Sequence, residues 1–529
     1  MSGSRNIVFF INPPNSNDIF PVSASCEGVS KGIQHTDWAN FPHLGILSLA
    51  SYVDSFPELQ AIYLDGVVHS VSVITAQIQA KAASTLAVCL SAITANYQAA
   101  LRIAHTIKTT DPAISVIMGN DHFSALSREI LCRHHMLIDC GFVGNEIYTG
   151  LGRYLKDLRR HTIAGTYPGA VRWLRGEIIH DRQICEEVNR VIDYDLIDRV
   201  LPHTPLYSAN FTRRLGRRIL QLTGRHARRG VPVEIARGCI KFCSNDACSF
   251  CSIQYGGMWK NELPAVQAWQ VIHNAWSAGY EYLYVTADEL PLTFARLMLD
   301  MAEAPPEWWQ QLQPDERPIL VGYARADGME KEHVLDAMRK IGFRILFVGV
   351  DAGASLSLQA LNKPLKNKDP RRASRRMHAS NSRALLNARN HGVLIKAGFV
   401  LGHIGMNEAL LEENVRTYVG FLRDGQDVIV SADIELLSPE PGSRDFHYLT
   451  HPDVAETVSS GLGLEIPPAG LRETIANTYR GVDIFDRERA IEDYIRALMP
   501  GLSKNLLAQA REYVRKACKG LGIIVGDEL

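Results

Sequence analysis

Four cysteines, Cys239, Cys243, Cys248 and Cys251, fall within thirteen residues of the stretch EIARGCIKFCSNDACSFCSIQYGGMWK, Glu234 to Lys260. Thiolates so closely spaced serve soft metals or redox chemistry, and four merely structural thiols are a poor fit to such density. A structural zinc site of four cysteines pairs two knuckles across a long spacer, which thirteen residues barely accommodate. Three thiolates from one loop suit one face of an iron-sulfur cube instead, and leave one iron open to a substrate or cofactor. Two ligand sets are open: Cys239, Cys248 and Cys251, which keeps the terminal Cys-Ser-Phe-Cys, or Cys239, Cys243 and Cys251, which places Cys248 inside an insertion. The first is favoured, because the two-residue gap sets how the last two thiolates straddle an edge of the cube.

The other six cysteines, Cys26, Cys89, Cys132, Cys140, Cys185 and Cys518, are scattered. They are expected to be core residues, since a chain read as cytoplasmic keeps its thiols reduced. With 529 residues, 46% hydrophobic and 21% charged, the chain suits two or three well-packed domains. A net charge of −1 draws it toward neither nucleic acid nor an anionic membrane. The opening MSGSRNIVFFINPPN has too short an apolar run for a signal segment and reads as a first core strand. No run approaches the ~18 apolar residues of a membrane span.

The elements that must position the cysteines follow from periodicity. Over residues 1–161, apolar runs at NIVFFIN, LQAIYLD, TLAVCLSAIT, AISVIMGN and LIDCGFVG alternate with helical patterns such as HLGILSLASYVDSF and YQAALRIAHTIKTT. This predicts a flavodoxin-like (Rossmann-like) α/β domain, whose ligands sit beyond the carboxyl ends of the strands. Residues 162–230 read as a linker region containing the basic stretch RRLGRRILQLTGRHARRG, expected to be a solvated face because no aromatic residues interleave it to stack bases. Residues 231–449 hold six βα units from VPVEIARGC to DVIVSADIELL, a second parallel sheet, open or curved into a partial barrel. Residues 450–529 read as a small, mainly helical region. The run NKPLKNKDPRRASRRMH, with seven basic residues between Lys363 and Arg376, is expected to be a solvated surface loop, ahead of a role in holding an anionic substrate.

The sequence ARGC followed by CSFC resembles the radical S-adenosylmethionine (radical SAM) superfamily, although the usual CxxxCxxC spacing is stretched here by SNDAC. The resemblance implies a partial (β/α)6 TIM barrel and a 4Fe-4S cluster on Cys239, Cys248 and Cys251, with Cys243 the alternative to Cys248. It also implies that the open iron chelates S-adenosylmethionine and cleaves it to a 5′-deoxyadenosyl radical. Further segments extend the likeness along nearly the whole chain. YVTADEL resembles the acidic segment near the methionyl amine, which makes Asp288 and Glu289 candidates, with helix capping as the bland alternative. GYARAD supplies Arg325, FVGVDAGASLSLQALNK supplies Asp351, and GFVLGHIGMNE supplies Gly402 and Gly405, where bare backbone would approach adenine.

The N-terminal segments PHLGILSLASYV, SAITANYQAALRIAHTIK, VIMGNDH and GFVGNEIYTGLGRYL resemble the cobalamin-binding domain that precedes the barrel in one radical SAM class. This implies cobalamin contacts at Asn12, Asp65, Thr94, Gly119, Asn120, Gly144 and Glu146. The Asp-x-His-x-x-Gly signature is absent, so the cobalt is expected to lack a histidine ligand from that motif, and GNDH replaces the usual GGxH.

The function implied is a cobalamin-dependent radical SAM enzyme that methylates an unactivated carbon of a small-molecule or peptide substrate, with an electron donor such as flavodoxin or ferredoxin. A radical cyclisation or rearrangement on the same scaffold is the alternative. An RNA-modifying enzyme of the methylthiotransferase kind is disfavoured, because Cys26, Cys89, Cys132 and Cys140 lie mostly on predicted strands and helices. The retained cysteine loop argues against a non-catalytic sensor.

Overall fold

The computed structural model describes residues 5–15, 40–144, 147–182, 192–243, 246–253, 259–367 and 369–526. The chain divides into two compact units, the first built chiefly on Met1–Phe211 and the second on Thr212–Ser252 with Trp259–Leu529.

In the first unit, strands β1 (Ile7–Asn12), β2 (Gln60–Asp65), β3 (Thr85–Ser91), β4 (Ser115–Gly119) and β5 (Cys140–Phe142) pair in the order 2-1-3-4-5, all parallel. That is the flavodoxin-like order, with its switch point between β1 and β3. Every residue of β1 is buried, which is why IVFFIN runs apolar without alternation. Residues 162–230, expected to be a linker, contribute more: β6 (Ala170–Leu174) and β7 (Glu177–His180) form an antiparallel hairpin that extends this sheet past β5. β6 is buried only over its first three residues and β7 is mostly exposed, so these short strands carry a weaker periodic signal than the fully buried ones.

In the second unit, β8 (Gly230–Val233) starts the sheet. The following β9 (Ala236–Gly238) and β10 (Lys260–Glu262) form a separate antiparallel pair. The main sheet continues through β11 (Tyr282–Val285), β12 (Ile319–Arg325), β13 (Phe343–Asp351), β14 (Leu394–Leu401) and β15 (Ile429–Leu436) to the short β16 (Ile524–Val525), in sequential parallel order. The six strands β8, β11, β12, β13, β14 and β15 are the six βα units expected, and β16 is an edge strand too short to show in sequence. Helices Pro452–Leu462, Ala469–Ala476, Arg487–Leu498 and Lys504–Gly520 form the helical C-terminal portion of the same unit.

The parallel sheet brings the ends of β8, β11, β12, β13 and β14 to one edge, where Arg325 and Asp351 end their strands and the segments after the others carry the cysteines, Asp288, Glu289, Gly402 and Gly405. Of the scattered cysteines, Cys89, Cys140 and Cys518 are buried as expected, whereas Cys132 is exposed on helix Asp121–His134. Cys26 and Cys185 lie outside the described residues. Among the described residues, no helix is long and apolar enough to cross a membrane.

Candidate functional site

The cysteine loop is clamped where it begins. The stretch VPVEIARGC reads as one strand, but the chain leaves the main sheet after Val233, and Gly238 pairs with Lys260 across the β9–β10 ladder. Gly238 holds φ +130°, and a Cβ there would sit 2.2 Å from the Trp259 carbonyl oxygen, so glycine is required before Cys239. The Gly238 amide donates to Asp288 Oδ2 at 3.1 Å, and the Ile240 amide donates to Thr293 Oγ1 at 3.0 Å. At the far end, the Cys251 amide donates to the Cys248 carbonyl at 3.1 Å and closes the Cys-Ser-Phe-Cys turn. Ser249 anchors that turn twice, donating to the Leu361 carbonyl at 2.9 Å and accepting from the Asp445 amide at 3.0 Å.

Around this loop stand three cations, each paired with an acid. Lys241 pairs with Asp246 at 3.2 Å, Arg325 with Asp327 at 2.9 Å, and Lys363 with Asp351. All three cations are buried: Lys241 is 2% exposed, Arg325 3% and Lys363 7%. All three feel the Cys248 sulfur electrostatically, and Arg325 also feels Cys239. Burial works against the charge of each. It prevails at Lys241, whose pKa is lowered, but is outweighed at Lys363 by Asp351 and Cys248, so that its pKa is raised. Burial likewise opposes the Asp327 carboxylate, yet Arg325 holds its pKa below the ordinary value. The Cys239 thiol, in contrast, is pushed up to about 12 by burial. Asn362 braces the loop by donating from Nδ2 to the Asp246 and Ala247 carbonyls at 3.3 and 2.7 Å.

Lys241 and Lys363 were not among the sequence candidates. Lys363 opens the basic run expected to be a solvated surface loop; two features correct that expectation, since Lys363 is buried against Asp351 and the run is helix, not loop, from Pro370 onward. Lys366, Arg371, Arg372, Arg375 and Arg376 are exposed, and Lys368 lies outside the described residues. The acid two residues after Arg325 in ARAD was the one local signal that a buried pair would form.

The donor set suits an anionic iron-sulfur cluster. Arg325 Nη1 is buried with no hydrogen-bond partner, an orphaned donor of the kind that an anion satisfies. Cys239 and Cys248 interact electrostatically with each other, whereas Cys243 is exposed. Among the described residues, no three His, Cys, Asp or Glu side chains converge on a point for a single metal ion. A cube differs from such a site in spreading its thiolates over separate irons.

The acidic pair after β11 divides its work. Glu289 is fully buried, and its oxygens accept from the Leu292 amide at 2.9 Å, the Thr293 amide at 2.7 Å and Thr293 Oγ1 at 2.6 Å. Its carboxylate thereby shapes the turn that presents Thr293 to Ile240. Asp288 takes the Gly238 amide. Asp351 closes β13 in a left-handed conformation, φ +59°, with its carboxylate on Lys363. Gly402 and Gly405 have φ of +106° and +70°, as a close approach requires, but what approaches is protein: a Cβ would meet Met499 at 2.7 Å and Leu464 at 2.6 Å. Between them His403 is fully buried, its Nε2 2.8 Å from Ser357 Oγ, and burial brings its pKa down to about 4.

In the first unit the candidates gather at the ends of β1 to β5. Asp65 is fully buried and already saturated: Asn12 Nδ2 donates to it at 2.9 Å, Tyr63 at 2.8 Å, the Val67 amide at 2.9 Å, and Tyr207 as well. Asn96, missed in the sequence, crosses the switch point from β3 to β1, donating to Asn12 Oδ1 and the Pro13 carbonyl, each at 3.3 Å. Thr94 Oγ1 lies 3.2 Å from His122 Nδ1. Asn120 adopts φ +81° with ψ −178°, a positive-φ extended backbone that a glycine in GGxH would hold without strain. Its side chain is tied back, donating to Ser91 Oγ at 2.8 Å and accepting from the Asp121 amide at 2.7 Å. Gly144 also has positive φ, +90°, and its amide donates to Ser124 Oγ at 3.4 Å. Gly119 ends β4, and its carbonyl accepts from the Ala92 amide at 2.8 Å. Glu146 lies outside the described residues. The Asn120 side chain is thus held on Ser91 and Asp121, not left loose at the end of β4.

No protein-family model and no curated protein matches the sequence. Solved structures do match. TsrM from Kitasatospora setae, a radical S-adenosylmethionine methyltransferase with cobalamin and a 4Fe-4S cluster bound, superposes with a TM-score of 0.64 at 13% identity, over 96% of this chain and 91% of that one. The same enzyme with tryptophan substrate and the S-adenosylmethionine analogue aza-SAM gives 0.58 at 13% identity, over 84% and 76%. OxsB, a cobalamin-dependent S-adenosylmethionine radical enzyme with aqua-cobalamin and S-adenosylmethionine bound, gives 0.57 at 13% identity, over 90% of this chain and 66% of its own. This chain has the fold of cobalamin-dependent radical SAM enzymes.

Proposed function

We propose that this chain is a cobalamin-dependent radical SAM enzyme that transfers a methyl group to an unactivated carbon of a small-molecule or peptide substrate. The observation that carries the reading is the fold shared over 96% of the chain with a methyltransferase solved with both cobalamin and a 4Fe-4S cluster bound. In this reading Cys239, Cys248 and Cys251 hold the cluster and Cys243 is the spare thiol. When bound, the cluster supplies the electron that cleaves S-adenosylmethionine, and the corrin supplies the methyl group.

The chain's own residues bind, orient and neutralise. Lys241, Arg325 and Lys363 offset the negative charge gathered at the cysteine loop, and their burial keeps that field unscreened by water. Arg325 Nη1 is the donor for an anionic acceptor, a cluster sulfide or the methionyl carboxylate. Asp288 is the nearer of the two acids to the loop entrance and the candidate for the methionyl ammonium, while Glu289 keeps the Thr293 turn in place. In the first unit, Thr94, Gly119, Asn120 and Gly144 form the corrin shelf, with Asn12 and Asp65 supporting it through their hydrogen bonds.

Anaerobic reconstitution tests the reading. Protein incubated with S-adenosylmethionine, reductant, cobalamin and a methyl acceptor should form S-adenosylhomocysteine and 5′-deoxyadenosine in equal amounts, each matched to a product heavier by one methylene. 5′-Deoxyadenosine without matching S-adenosylhomocysteine would replace methylation by cyclisation or rearrangement. A chain that takes up no iron and sulfide would end the radical SAM reading itself.

A further inference from the structure

The helix Pro370–His391 has two dissimilar faces near its start. Inward, Met377 is buried, and its sulfur lies 3.8 Å from Nη2 of Arg325, the guanidinium in the field of Cys239 and Cys248. Outward, Arg371, Arg372, Arg375 and Arg376 are exposed, and Lys366 just before the helix is exposed too. Among the described residues, none of these four arginines pairs with a carboxylate; the one acid at this end, Asp369, caps the helix by accepting from the Arg372 amide at 2.9 Å. In a chain of net charge −1, such a concentration of unpaired cations is a local exception.

We propose that this arginine face docks an acidic one-electron donor protein. The inference rests on the reading of the cysteine loop as a redox cluster, which needs an electron from outside. Two observations place the patch usefully. One helix, about 10–12 Å across with its side chains, separates the arginines from the guanidinium that faces the thiols. The residues leading into the helix are also tied to the cysteine loop itself, since Lys241 donates to the Pro364 carbonyl at 2.7 Å. A partner seated on the arginines therefore lies over a short, continuous protein path to the cluster loop. Opposite charge steers such a partner and fixes its orientation, and the run carries no aromatic side chain on which nucleic-acid bases would stack.

The test compares two reductants on the full reconstituted chain. In the variant Arg371→Glu/Arg372→Glu/Arg375→Glu/Arg376→Glu, 5′-deoxyadenosine formation driven by dithionite should stay within about twofold of the parent. Formation driven by reduced flavodoxin should fall on the order of tenfold at low salt, and only the parent should lose flavodoxin-driven rate as salt rises. Replacing the same four residues by lysine should keep the flavodoxin-driven rate, because the charge is kept. Equal effects of the glutamate variant on both reductants, or none on either, overturn the proposal, as does a mixed-sequence RNA oligonucleotide that binds the parent more tightly than flavodoxin at equal ionic strength. If the parent yields no 5′-deoxyadenosine even with dithionite, the cluster reading has failed. Calorimetric titration with flavodoxin then still decides the docking face, which is overturned if the parent and the glutamate variant bind alike.

Discussion

Lys241 donates a 2.7 Å hydrogen bond to the carbonyl of Pro364, so one buried ammonium joins the cysteine loop to the segment that leads into the helix Pro370–His391. The same ammonium pairs with Asp246, and both partners lose it together in Lys241→Met. Removing one partner of a buried pair is costly, and with Asp246 partly exposed the expected loss is about 2–3 kcal/mol. Urea unfolding should record that loss, and iron bound per chain after reconstitution should fall. Unchanged stability together with full iron content would mean that the lysine is incidental.

Cysteine substitutions separate the two ligand sets. Cys239→Ala, Cys248→Ala and Cys251→Ala should each abolish 5′-deoxyadenosine formation and the charge-transfer absorption of the cluster, whereas Cys243→Ala should retain both. A dead Cys243→Ala beside a Cys248→Ala that keeps its cluster would assign the insertion to Cys248 instead.

Asn120 should tolerate glycine better than alanine. Its φ of +81° strains any residue with a Cβ that lacks a compensating side-chain bond, and alanine loses the bond to Ser91 as well as the one to the Asp121 amide. Asn120→Ala is expected to cost about 1–2 kcal/mol and Asn120→Gly roughly half of that. Thermal unfolding of the two variants gives the order directly, and alanine equal to glycine would contradict it.

Cobalamin bound to the first unit should show no nitrogen ligand from the protein in the electron paramagnetic resonance spectrum of its cobalt(II) form. His69 is the control, because its Nε2 is buried without a hydrogen-bond partner. A nitrogen splitting that disappears in His69→Ala would overturn the expectation and identify the ligand.

Two buried groups give stability opposing pH dependences. His403 has its folded pKa lowered to about 4 from an unfolded value of 6.5, so the unfolded chain binds more protons between them. Its contribution, about 3 kcal/mol, is complete above pH 6.5 and lost as pH falls toward 4. Asp445 is raised by burial from 3.8 to about 6, so its contribution is complete below the unfolded value and lost as pH rises through 6. The two offset each other between about pH 4 and 6. Asp445→Asn should remove the opposing slope and make acid destabilisation steeper across that window, read as melting temperature against pH. A profile parallel to that of the parent would show that Asp445 does not titrate there.

What the sequence by itself determined is what short-range pattern can carry. Buried parallel strands must be apolar on both faces, so NIVFFIN and TLAVCLS announced themselves, and six apolar runs with intervening helices defined the second sheet. The thirteen-residue cysteine window was equally local. The edge hairpin β6–β7 and the terminal β16 were not legible, because short, half-exposed edge strands carry little periodic signal. Only the tertiary structure decided which charges surround the thiols. Lys363, Asp351 and Arg325 lie far along the chain from Cys248, and parallel strand order brings them to one edge. Nothing in TADEL revealed that Asp288 would take the Gly238 amide while the oxygens of Glu289 would be taken by Thr293 and Leu292. Nor did GHIG reveal that Met499 and Leu464 would fill the space its glycines leave. Spacing along a chain specifies which groups one loop can gather; which distant groups meet that loop is set by the sheet that stacks them.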